Sequence, residues 1–196
     1  TVKGMMATLL RQQNEVLVTR GNLNNHIGAP LTLLRLNDIS EYGVVELGAS
    51  AEGEIAYIAN LARPTVSILT NAEASHLEGF GDIETIVRTK GEIIDALDKD
   101  GCAILNADSP YYSEWKARAA DRKVLSFGLS EQADVKGSDV EIDAAGCCGF
   151  TLTIGDKSAP VQLRVMGKHN VSNALACAAA CIALDMPITQ IVSGLE

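Results

Sequence analysis

Aromatic side chains make up only 4% of the 196 residues. A core built with so few of them has to be aliphatic, as in alternating α/β proteins. Basic residues are also short, with 16 Lys and Arg against 25 Asp and Glu and a formal net charge of −9. That balance excludes wholesale wrapping of nucleic acid or of an anionic membrane. It leaves room for a local phosphate pocket, because backbone amides can supply the positive potential. No apolar run approaches the roughly 18 residues of a membrane span, and no charged n-region with an apolar h-region opens the chain. Internal repeats, low-complexity segments, a complete glycine-rich phosphate loop and any Ser/His/Asp or Cys/His arrangement are all missing. The five cysteines are an odd number, scattered at Cys102, Cys147, Cys148, Cys177 and Cys181. They read as reduced thiols of a cytosolic protein. Cys177 and Cys181 stand at helical spacing among alanines, which suits core packing better than zinc.

What is present is an alternation of strand and helix. Residues 1–13 read as a helix with Met5, Met6, Leu9 and Leu10 on one side. That helix has no visible beginning, which points to a chain cut from a longer one. Short strands are expected at Glu15–Thr19, Tyr42–Leu47, Val66–Thr70, Gly101–Asn106 and Val124–Phe127. Helices are expected at Leu31–Leu36, with Pro30 in the first turn, at Glu52–Ala62, around Ile83–Leu97 and at Ser113–Ala120. This alternation predicts a mostly parallel sheet flanked by helices. Val140–Ile142, Phe150–Ile154 and Val161–Val165 then form an antiparallel meander near residues 135–165. An Ala-rich helix over 166–186 follows, and Pro187–Leu195 starts another.

The candidate functional residues gather past strand ends, where parallel sheets present ligands. Thr70–Ile93 carries His76 in a polar, glycine-bearing loop and Lys90 fourteen residues further on. Glu46 closes a buried strand, and a charge there demands a partner. GNLNNH at 21–26 stacks amides that suit a turn-rich loop or a polar ligand, Asn22 and Asn25 among them. In HNVSN at 169–173, Asn170 and Asn173 either cap their helix or read the edge of a base. Taken singly, His76 also reads as a surface or capping histidine. Lys90, Glu78 and Glu92 taken singly read as solvated charge.

In combination these motifs are far more specific. GNLNNHIGAPLTLLRL, VVELGA with GEIA, HLEGFG, TKGEI, LNADSP and GKHNVSNALA occur in that order across essentially the whole chain. This resembles the central ATP-binding domain of the Mur ligases, a P-loop NTPase-like α/β fold. The pairing of GNLNN with HLEGFG resembles the branch that adds D-alanyl-D-alanine to UDP-N-acetylmuramoyl-tripeptide. Other muramyl-peptide ligases and folylpolyglutamate synthase stand behind it as alternatives, together with a non-catalytic binding domain derived from the same fold.

The resemblance carries expectations. Residues 1–196 form one middle domain, with Thr1 at the end of a phosphate loop whose strand, glycines and lysine are absent. The N-terminal UDP-binding domain and the C-terminal domain are absent too, so the isolated chain is expected not to catalyse. ATP and Mg2+ are the implied cofactors. Glu46 corresponds to a metal-binding glutamate, His76 to a histidine at a second metal, and Lys90 to a lysine that is carbamylated in the family. Thr1, Asn22, Asn25, Asn170 and Asn173 are the expected nucleotide or substrate contacts. The reaction implied is amide formation through an acyl phosphate by a monomeric cytoplasmic enzyme.

Overall fold

The computed structural model describes residues 1–72 and 80–196. In chain order the elements are α1 (Val2–Leu10), β1 (Val16–Val18), α2 (Gly28–Leu33), β2 (Tyr42–Val44), α3 (Glu54–Ala62) and β3 (Val66–Leu69). There follow α4 (Ile83–Asp95), β4 (Cys102–Asn106), α5 (Tyr112–Ala119), β5 (Lys123–Gly128), β6 (Val135–Ile142), β7 (Cys147–Ile154) and β8 (Lys157–Met166). The chain ends on α6 (His169–Ala183) and α7 (Ile188–Leu195).

Strands β3, β4, β5 and β6 run parallel side by side, and β7 and β8 extend the same sheet antiparallel. The alternation of β4 decides the layering. Cys102 and Ile104 join the core cluster under α1 and α6, whereas Ala103 and Leu105 join a second cluster with Val87 and Ile94 of α4 and Trp115 of α5. A strand buried on both faces reads as a continuous apolar run, as CAIL does. Trp115 is fully buried, and its indole N–H donates to the Val87 carbonyl at 3.1 Å, fixing α5 on α4. On the other face, every residue of α6 from Ala174 to Cys181 is buried. Its small side chains let the helix lie close on the sheet, and Gly137 of β6 makes room for Leu175, whose Cδ1 would stand 3.0 Å from an added Cβ.

The expected meander is present but begins earlier, at Val135. No helix links β5 to β6, although they are parallel. The reason is register: Phe127 and Gly128 at the end of β5 pair with Val135 and Lys136 at the start of β6. The chain therefore never has to travel back along the sheet, which is what makes a long crossover necessary elsewhere. Helix α2 also starts before the expected Leu31, because the Asn25 carboxamide oxygen accepts the Ile27 and Gly28 N–H groups at 3.1 and 2.8 Å.

Strands β1 and β2 form a separate parallel pair. The edge of β2 away from β1 and the edge of β3 away from β4 face the same cavity, of about 970 Å³. Val2, Met6 and Leu10 of α1 cover it from one side, and α6 adds Asn173 and Ala180. No helix among the described residues is long and apolar enough to cross a membrane.

Burial pushes the Cys181 thiol up to about 12 from an ordinary 9.0, and burial beside Cys181 raises Cys177 as well. The unfolded chain would release these protons above its ordinary thiol pKa while the fold retains them. Their stabilising effect is therefore complete below that value and is lost as pH rises toward the folded one. The melting temperature should fall as pH is raised from about 8 to about 10. A Cys177→Ala/Cys181→Ala double variant should show a shallower fall in the same calorimetric series.

Candidate functional site

The cavity between β2 and β3 is lined along the whole length of both strands, and polar groups collect at their C-terminal ends. Glu46 lies two residues beyond β2, with its side chain 40% exposed. It has the partners that its place in an apolar run demands. Oε1 accepts from the Asn24 amide at 2.9 Å, and Oε2 lies 3.1 Å from Lys3 Nζ. The Glu46 backbone N–H donates to the Thr19 hydroxyl at 3.0 Å. Lys3 also donates to the Gly21 carbonyl at 2.6 Å, and Gly48 N–H donates to the Asn24 carbonyl at 2.8 Å. A Cβ on Gly48 would stand 3.0 Å from the Asn24 amide. The first turn of α1, the loop after β1 and the segment after β2 are thereby tied at one carboxylate.

Lys90, in the middle of α4, lines the same cavity, as do Thr70, Asn71 and Asn106. The Asn106 amide donates to the Thr70 carbonyl at 2.8 Å, and its oxygen accepts the Asp108 N–H at 2.9 Å, so it joins the C-terminal ends of β3 and β4. Thr1 is at the mouth of α1 and also lines the cavity. Asn173 reaches the cavity wall from α6. Its amide donates to the Asn170 carboxamide oxygen at 2.9 Å, while Asn170 donates to the Met166 carbonyl at 2.8 Å. Asn170, 5% exposed, therefore supports Asn173 from behind. Asn22 and Asn25 do not line the cavity: Asn25 caps α2, and the Asn22 carbonyl accepts the Asn24 N–H in a turn. His76 lies outside the described residues.

The donor chemistry at Glu46 suits a hard cation. A carboxylate has about four lone-pair sites, and among the described residues each Glu46 oxygen meets one donor. Lys90 as an ammonium does not suit a cation; as a carbamate it would offer two oxygens. No cluster of three His, Cys, Asp or Glu side chains is found among the described residues.

A family model described as the Mur ligase middle domain matches residues 1–181. The chain belongs to the Mur ligase family. As a Mur ligase middle domain it is 40% identical to the UDP-N-acetylmuramoyl-tripeptide–D-alanyl-D-alanine ligase of Escherichia coli K12, over all of this chain and 43% of that one. The ligase of the same name from Bacillus subtilis is 36% identical over 92% of this chain and 38% of its own length. The crystal structure of MurF from Acinetobacter baumannii superposes with a TM-score of 0.95 at 35% identity, over 100% of this chain and 42% of that one. MurF from Thermotoga maritima, in complex with ADP, superposes with a TM-score of 0.82 at 28% identity, over 98% and 45% of the two chains. This Mur ligase domain thus spans less than half of the length of the relatives it matches.

Two polar residues of this Mur ligase domain are placed against the sequence expectation. Among the loop asparagines, Asn24 is the one that reaches Glu46, and only its position in GNLNN hinted at it. Glu92, read from sequence as solvated charge, is 8% exposed. Its two oxygens accept the Gly53 and Ala56 N–H groups at 2.8 Å each, capping α3 from α4 two residues beyond Lys90. Helix N-termini leave such N–H groups without partners, and a carboxylate also complements the helix dipole. Its sequence distance from α3 hid the role.

Glu92→Ala should lower unfolding stability by about 1–2 kcal/mol, since it removes the carboxylate that caps two part-buried N–H groups at the start of α3. Glu92→Gln should cost less. Glu52→Ala, removing an exposed pair with Arg88, should change little. Urea midpoints of the three variants measure this directly.

Proposed function

We propose that this domain is the nucleotide- and metal-binding core of an ATP-dependent ligase that joins D-alanyl-D-alanine to UDP-N-acetylmuramoyl-tripeptide in peptidoglycan precursor synthesis. The observation that carries the reading is a convergence. Glu46, Lys90, Asn106, Asn173 and the mouth of α1 surround one cavity at strand C-termini, in a chain 40% identical along its whole length to a ligase of that name. Such a rim is where parallel α/β sheets bind ligands. That the Thermotoga maritima relative forms a complex with ADP supports a nucleotide as ligand of the intact enzyme.

In this reading residues 1–196 are a single middle domain of a longer monomeric cytoplasmic enzyme. The strand carrying the phosphate loop precedes Thr1 and fills the cavity between β2 and β3. Its loop then runs into α1, whose N-terminal amides face the phosphates. The precursor's carboxylate attacks the γ-phosphorus, ADP departs, and an acyl phosphate remains. The D-alanyl-D-alanine amine attacks the acyl carbon, and phosphate leaves as the amide forms. Most of the difficulty is electrostatic, because an anion must approach a polyanion. Mg2+ held by Glu46 and by a carbamylated Lys90, with His76 at a second metal, would supply charge neutralisation. Asn173, braced by Asn170, orients the base or substrate edge. Thr1 closes the phosphate loop.

Lys90→Ala in the intact enzyme should cut ligase turnover by at least about a hundredfold, as expected when a group that positions charge is lost, and added bicarbonate should not restore it. Glu46→Gln should shift the Mg2+ titration of activity to higher concentration. Near-normal turnover of Lys90→Ala at ambient CO2, measured as ADP release, would remove Lys90 from the site.

A further inference from the structure

Lys3 stands out because it makes two contacts at the site and no motif reading singled it out. Its ammonium donates to the Gly21 carbonyl at 2.6 Å and pairs with Glu46 Oε2 at 3.1 Å, with the side chain only 19% exposed. The opposite oxygen of Glu46 is taken by a neutral donor, Asn24. Among the described residues, Lys3 brings a full positive charge to this carboxylate from the second position of α1. We propose that Lys3 is the resident counter-ion of Glu46 and competes with a divalent cation for its Oε2 edge. The inference rests on the reading of Glu46 as the metal carboxylate and adds to it that the site is charge-balanced before any cation arrives.

Two cations cannot both sit close to one carboxylate oxygen without repelling each other. Lys3 therefore has to yield Oε2 when Glu46 takes up a divalent ion. The Gly21 carbonyl keeps the displaced ammonium tethered nearby, at the N-terminal end of α1. Lys3 is accordingly a positioning residue: it holds the carboxylate, α1 and the Gly21 loop in register and sets how tightly a cation is bound. A purely structural lysine predicts the opposite sign. Its removal would loosen Glu46 and weaken cation binding.

Mn2+ binding to the intact, nucleotide-free protein, followed by the electron paramagnetic resonance signal of the free ion, separates these outcomes. Lys3→Met should tighten Mn2+ binding by about fivefold, the size expected for loss of one partly exposed ion pair. Lys3→Arg should leave it near the wild-type value. Asn24→Ala, which removes a neutral donor from the same carboxylate, should not tighten it. If Lys3→Met does not fold, Lys3→Gln removes the charge while retaining a donor for the Gly21 carbonyl, and the same tightening is expected. Unchanged or weaker Mn2+ binding in the charge-removing variant, with binding lost in Glu46→Gln, would overturn the competition and leave Glu46 as the metal carboxylate. Unchanged binding in Glu46→Gln would overturn both.

Discussion

Backbone N–H and C=O groups in a protein interior have to be paired, and a parallel strand can pair along two edges. Among the described residues, strands β2 and β3 each pair along one edge, toward β1 and β4 respectively, and both line a shared cavity of about 970 Å³. The rest of the site depends on that constraint. Glu46 beyond β2, Thr70 beyond β3 and Asn106 at the end of β4 come to the wall of that one cavity, which the first turn of α1 also reaches through Thr1 and Lys3. A strand with an edge free on each side fits between β2 and β3 without disturbing either existing ladder. That is why the slot is read as the place of a phosphate-loop strand.

Holding such a rim in shape falls to a few polar contacts between elements distant in sequence. Lys3, Asn24 and Thr19 fix Glu46. Glu92 fixes α3 to α4, and Asn106 fixes β3 to β4. The aliphatic, alanine-rich packing of α6 on the sheet supplies the rigid floor. Hydrophobic burial holds the layers together, and the directional bonds decide where each charge points. Groups that position charge have to be held within a fraction of an ångström to be useful, so rigid elements suit them better than loops.

Much of this was legible in the sequence for identifiable reasons. CAILN read as a strand because apolar packing covers both of its faces, and the Ala-rich 166–186 stretch read as a helix. YGVVEL was expected to be a buried strand, but its strand ends at Val44 and is only part-buried, with Gly43 exposed. Glu46 announced a partner because a carboxylate cannot end an apolar run without one. The resemblance placed Lys90 and Glu46 at one site, and both line the same cavity. What stayed hidden was long-range pairing. Glu92 looked solvated because its acceptors' partners lie 36 and 39 residues away. Asn24 could not be told from Asn22 and Asn25 because all three stand in one turn. The early start of β6 was masked by Lys136, Gly137 and Asp139, which the strand tolerates through a bulge and a close helix.

In the function proposed above, the space between β2 and β3 seats a phosphate-loop strand and the nucleotide lies on its rim. An experimental structure of the intact protein with a non-hydrolysable ATP analogue and Mg2+ tests it most directly. The expected result is a strand parallel to β2 and β3 and hydrogen-bonded to both, leading into Thr1, with the γ-phosphate near Glu46. Direct pairing of β2 with β3, or a nucleotide bound away from this rim, would contradict it.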